Sequence, residues 1–148
     1  MVTAYANAYR RPLHPLHAIL LAFPFPMFLG ALISDWAYSA TYEIQWLNFA
    51  AWLNAGGLFV GAFALLWALV GMFRSSTRWR GRPFVYAGVL LAMWVLGFVN
   101  ALVHGKDAWA TMPEALYLSI IATAFAFIAA WIGYSGVGDS ALRVEDVK

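Results

Sequence analysis

Apolar residues in this chain come in long unbroken runs. Four stand out, from about Leu16 to Tyr38, Phe49 to Phe73, Phe84 to Val103 and Pro113 to Tyr134. Each is roughly 20 to 25 residues long, the length an α-helix needs to cross a hydrocarbon layer of about 30 Å. Lipid offers no partner to a backbone amide, so each run predicts a helix. None alternates with period two, which argues against a β-barrel. The pattern predicts an all-α, polytopic membrane protein: one four-helix transmembrane domain over residues 1–148, with a short tail over 135–148.

Local signals punctuate the runs. Pro83 suits the first turn of the third helix, where a missing N–H costs nothing. Thr111 and Glu114 have the spacing of a capping box, with Pro113 between them, and predict a fourth helix starting near Met112. Gly136 and Gly138 are expected to end it. Pro24 and Pro26 should kink the first helix. That first run is long, interrupted by proline and followed by Ser34-Asp35-Trp36 without a clean small-x-small site, so it reads as a retained span rather than a cleaved leader.

Composition sharpens the class. Hydrophobic residues make up 64% of the 148 and charged residues 11%, against about half and about a quarter in soluble domains. Eight tryptophans fit membrane–water boundaries, where an amphipathic ring has one wet edge. The absence of cysteine removes disulfides, thiolate metal sites, iron–sulfur ligation and covalent haem attachment. No phosphate loop, dinucleotide fingerprint, nucleophile elbow or metalloprotease helix is present.

The basic residues set an orientation. Arg10 and Arg11 precede the first run, Arg74, Arg78, Arg80 and Arg82 lie between the second and third, and Arg143 and Lys148 lie in the tail. Of the nine basic residues, only Lys106 falls on the other side. The positive-inside rule then puts both termini in the cytoplasm and the loops containing Glu43 and Lys106 outside. Small residues predict how the helices meet: Gly57, Gly61, Ala64, Ala68 and Gly71 on the second, Gly88, Ala92 and Gly97 on the third, and Ala122, Ala126, Ala130 and Gly133 on the fourth. Such faces let backbones approach within one bundle, or between copies.

Polar groups in a span are costly and draw attention to function. His14 and His17 lie at the cytoplasmic mouth of the first helix, three residues apart and so on one face if helical. Imidazole can bind haem iron, zinc or copper, or relay a proton; the plainer role is a polar anchor at the boundary. A second set, Asp35, Asn54, Asn100, His104 and Glu114, draws a residue from every helix at a similar outer depth. These could hold a proton, a metal or a quinone headgroup, or could plug the bundle and fix its register. His14, His17, His104 and Asn100 are the candidate cofactor-binding residues. A single haem b ligated by two facing histidines is disfavoured, because His104 lies across the bilayer from the other two. No charged residue marks the middle of a span and no inverted repeat is visible, which weighs against transport.

The segment HPLHAILLAFPFPMFLGALISD, His14 to Asp35, resembles the opening of an uncharacterised family of bacterial four-helix predicted inner-membrane proteins with an HPxHP-like start. Gly136-Val137-Gly138 resembles that family's closing pair of glycines. Ala18 stands where the second proline of the signature falls, and Ala22 where a histidine precedes Phe-Pro. The resemblance implies a multi-pass protein of the bacterial inner membrane. Some relatives resemble membrane partners of oxidoreductases, including Rieske-type fusions and neighbours of periplasmic sugar dehydrogenases. The expected role is therefore a membrane subunit or anchor of a redox or dehydrogenase system, without catalysis of its own. The rival expectations are an electron-transfer protein carrying haem b or quinone, and a small transporter or channel. The expected partners are the bilayer, a membrane-associated or periplasmic oxidoreductase, and further copies of the chain.

Overall fold

A computed structural model describes residues 13–74 and 81–145, with side chains for 13–73 and 81–135. Arg10, Arg11, Arg78, Arg80 and Lys148 lie outside the described residues. Five α-helices follow in order: α1 Pro15–Ala22, α2 Pro24–Thr41, α3 Ile44–Arg74, α4 Arg82–His104 and α5 Glu114–Glu145, with a 3₁₀ turn at Ala108–Ala110 between the last two. No strand occurs among the described residues. Helices α1 and α2 form one apolar rod, and together with α3, α4 and α5 give four helices long and apolar enough to cross a membrane.

The first rod shows how proline is accommodated. The break falls at Phe23, and Pro24 opens α2. There the missing N–H belongs to the first turn, whose amides have no intrahelical acceptor in any case. Pro26 sits in that same turn, so the two prolines produce one junction. Pro83 occupies the first turn of α4 as expected.

Three ends differ from expectation. Helix α3 begins at Ile44 rather than Phe49, because Gln45 and Asn48 interrupt the apolar run but not the helical backbone. Helix α5 passes through Gly136 and Gly138 to Glu145. Glycine costs a helix interior about 1 kcal/mol and does not forbid it, and the residues that follow include the helix formers Ala141, Leu142 and Arg143. The capping box does not form. The Thr111 hydroxyl donates back to the Asp107 carbonyl at 3.2 Å, and Glu114 instead pairs with Lys106 at 2.6 Å.

Around the bundle, α2 packs on α3, α3 on α4, α4 on α5, and α5 back on α2. Phe28 fills the centre. A β-carbon on Gly97 of α4 would stand 2.8 Å from Phe28 Cζ, and one on Gly57 of α3 would stand 3.3 Å from it. Thr123 of α5 donates to the Phe28 carbonyl at 3.0 Å. Lipid gives helices no hydrophobic drive to associate, so close approach over small residues and interhelical hydrogen bonds must supply it. Gly61 and Gly133 work like Gly57 and Gly97, closing on Met93 and Leu21; Gly71 and Gly88 have no side chain near them among the described residues. Leu21, Leu90, Met93 and Ala129 complete the buried core.

Candidate functional site

The titratable side chains buried in the bundle gather at its two ends, and the middle around Phe28 holds Thr123 as its polar tie. At the end where α2 meets α3 and α4 meets α5, Asp35 is the hub. It lies six residues before the end of α2 and has no exposed surface. His104, the last residue of α4, brings Nε2 to 2.8 Å from Asp35 Oδ1, and its side chain is 2% exposed. Ser119 of α5 donates to the other carboxylate oxygen. Asn100, one turn before His104, donates through Nδ2 to Ser119 Oγ at 2.8 Å, and its carbonyl lies 2.9 Å from His104 Nδ1. Three helices thus meet on one carboxylate. The fourth joins through Asn54 of α3, which donates to the Gly97 carbonyl at 3.0 Å, about one turn back along α4 from Asn100.

The ring of His104 has a defined proton pattern. A carbonyl oxygen only accepts, so Nδ1 carries hydrogen. Nε2 then meets Asp35 either as a second N–H facing a carboxylate or as an acceptor facing a carboxylic acid. In both forms the pair holds one proton and is neutral overall, the charge that burial in lipid permits. His104 and Ser119 meet opposite oxygens of Asp35 and not each other. The imidazole is therefore not placed to take the serine proton, and the trio is not a nucleophilic triad.

The loop over residues 105–113 closes this end. Asp107 caps the 3₁₀ turn through the Ala108 amide at 3.1 Å. The Tyr38 hydroxyl, from a residue one turn after Asp35, donates to the Ala108 carbonyl at 3.0 Å, and Thr111 is fully buried. Tyr42 ends α2 in the left-handed conformation at φ 56° and stacks on Trp109 with ring centres 5.5 Å apart. Trp109 is itself 78% exposed, as suits a boundary aromatic. Tyr38 is the latch of this cover. Replacing it with Phe removes one hydrogen bond, worth about 1 kcal/mol net, and should raise the rate at which diethylpyrocarbonate modifies His104 about fivefold. Peptide mass spectrometry would read this, and an unchanged rate would mean that Tyr38 does not hold the loop.

His14 and His17 lie at the opposite, arginine-bearing end. His14 caps α1 by accepting from the Leu16 amide at 3.3 Å, and its ring centre is 5.1 Å from that of Trp67. His17 is buried, stacks on the same indole at 5.9 Å and holds Nε2 2.9 Å from the Tyr86 hydroxyl. Tyr134 fastens α5 to this end by donating to the Ala18 carbonyl at 2.6 Å, and Arg82 of α4 donates to the Ile132 carbonyl and the Ser135 hydroxyl. Eighteen residues separate His17 from Asp35, about 27 Å of helix. No single group is ligated by His17 and His104 together.

The structure therefore joins Asp35, Asn100 and His104 directly and Asn54 through the backbone of α4. It separates them from His14 and His17. Glu114 stands apart in the ion pair with Lys106, its side chain 60% exposed. No group of three or more metal-ligating His, Cys, Asp or Glu side chains forms among the described residues. Sequence reasoning missed Ser119. Its signal lies in the small-residue face of α5, where Ala115, Ser119, Ala122, Thr123 and Ala126 share one side of the helix.

Four lipid-length helices, closed on one another by small residues and polar contacts, define a multi-pass α-helical membrane protein. The chain belongs to the family described as Predicted membrane protein (DUF2231), whose model matches residues 13–146. No curated protein and no solved structure matches it.

Proposed function

We propose that the chain is a non-catalytic subunit or anchor in the bacterial inner membrane, serving a redox or dehydrogenase system. Both termini face the cytoplasm, and the 105–113 loop faces the periplasm or cell exterior. The observation that supports the non-catalytic reading is that the buried carboxylate and imidazole are bound to each other and to neighbouring helices beneath the 105–113 loop. The grooves on the bundle are shallow and apolar, one lined by Phe25, Phe127, Trp131 and Tyr134, and offer lipid contact rather than chemistry. The orientation rests on the placing of Lys and Arg. The link to a redox system rests on the resemblance of the His14–Asp35 segment.

Isolation of the tagged chain from its own membranes in mild detergent tests this reading. A stoichiometric oxidoreductase partner should be identified by mass spectrometry, and the chain alone should give a flat reduced-minus-oxidised spectrum. Isolation without any partner, or with a b-type haem spectrum of its own, would overturn it. Cysteines placed at Thr77 and Trp109 should react with impermeant reagents from opposite sides of the membrane.

A further inference from the structure

We propose that the Asp35–His104 pair is a proton-binding site, with Ser119 and Asn100 as its fixed frame, and that it exchanges its proton with the water on the side of the 105–113 loop.

Two observations point to a proton as the ligand. The first is the contact itself. His104 Nδ1 donates to a carbonyl, so the 2.8 Å contact between Nε2 and Asp35 Oδ1 needs a second proton. Without it, two lone pairs face each other inside the bundle and a net negative charge stays buried. The second is a crowding of acceptors. Asn54 and Asn100 are both fully buried, and the Oδ1 atom of each has no donor among the described residues. Asn100 Oδ1 stands in the same network as the carboxylate, the Ser119 oxygen and the Asn100 carbonyl, so acceptors crowd this end of the bundle. A proton on the Asp35–His104 pair removes the net negative charge from among them.

Few other charges bear on it. On α2, Tyr38 spends its hydroxyl on Ala108. On α3, Asn54 is the polar residue at this depth, and Glu43 precedes the helix in an exposed position. On α5, Ser119 is uncharged and Glu114 faces outward to Lys106. Asp107 of the loop is exposed and caps the 3₁₀ turn. The opposite direction is closed by Phe28, Leu90 and Met93, all essentially without exposed surface, so the exchange path runs through the loop. Release of the proton removes the attraction that holds α2 to α4, which makes occupancy a signal that the helices can read. The inference goes beyond the subunit reading and does not depend on a partner being found.

The test is NMR on the full chain in bicelles, with ring-15N histidine and 13Cγ aspartate, His104 and Asp35 being assigned by loss of signal in His104→Gln and Asp35→Asn. Between about pH 4 and 10, a span covering ordinary carboxyl and imidazole titration, His104 15N and Asp35 13Cγ should move through the same macroscopic steps, because the protons of a coupled pair belong to the pair and not to either residue. In Asp35→Asn the His104 step should be lost. A step seen by one resonance and not by the other, an unchanged His104 step in Asp35→Asn, or no movement of either resonance would overturn the proposal. The wild-type titration decides it alone if the variant does not fold.

Discussion

Asp35→Ala should be among the most destabilising single changes in this protein, lowering the unfolding free energy by about 3–5 kcal/mol, the usual effect of removing one partner from a buried ion pair. Three losses coincide. His104 Nε2 faces a void, the Ser119 hydroxyl has no acceptor, and α2 loses its carboxylate ties to α4 and α5. Asp35→Asn should cost far less, about 1 kcal/mol. The amide is isosteric; its oxygen still accepts from Ser119, and its nitrogen can donate to a neutral Nε2. The order Ala far below Asn is the informative result. Detergent-titrated unfolding in bicelles, followed by tryptophan fluorescence, reads it. Equal effects of the two substitutions would mean that shape rather than the polar network holds this end.

Gly97→Leu should cost about 3 kcal/mol, the upper part of the range for overpacking a full core. A β-carbon at this position already lies 2.8 Å from Phe28 Cζ, 2.9 Å from Cε1 and 3.1 Å from a Leu58 methyl. Phe28 cannot retreat, because Gly57 holds its other edge and Thr123 ties its carbonyl to α5. The added side chain must push α4 away from α2 and α3, and the bond from Asn54 to the Gly97 carbonyl goes with it. Gly88→Leu on the same helix is the control. Nothing lies within 4 Å of a β-carbon there, so its effect should stay within about 0.5 kcal/mol. The same unfolding measurement applies, and similar losses from both would remove close helix approach as the cause.

That contrast also shows where sequence reading stops. Gly57, Gly61, Gly71, Gly88, Gly97 and Gly133 look alike as small residues in apolar runs, and all six were candidates for packing. Gly71 and Gly88 face no neighbour among the described residues, and the facing direction of a uniformly apolar helix is not written in its own pattern. The spans were legible because length and apolarity alone decide them. Their ends were less so. Gln45 and Asn48 broke the run without breaking α3, and Gly136 and Gly138 weakened α5 without stopping it.

The polar site was legible by depth and illegible by direction. Asp35, Asn100 and His104 could be placed at one level by counting along their helices, and the structure joins them. Glu114 was assigned to the same level by the same count, yet it opens its helix outward and meets Lys106 across the loop. Ser119 escaped notice because serine in a span reads as merely small. Its role depends on which carboxylate oxygen Asp35 turns toward α5, and no local pattern records that. Thr111 and Glu114 matched a capping motif, but the 3₁₀ turn at Ala108–Ala110 takes the threonine hydroxyl for itself.

The central claim is that Asp35 and His104 act as one buried unit that fastens α2 to α4. The most direct test is a double-mutant cycle with Asp35→Ala, His104→Ala and the pair together, by unfolding in bicelles. The account predicts a coupling energy of about 2 kcal/mol or more, in the upper part of the range for residues in direct contact. Losses that simply add, with coupling below about 0.5 kcal/mol, would contradict it.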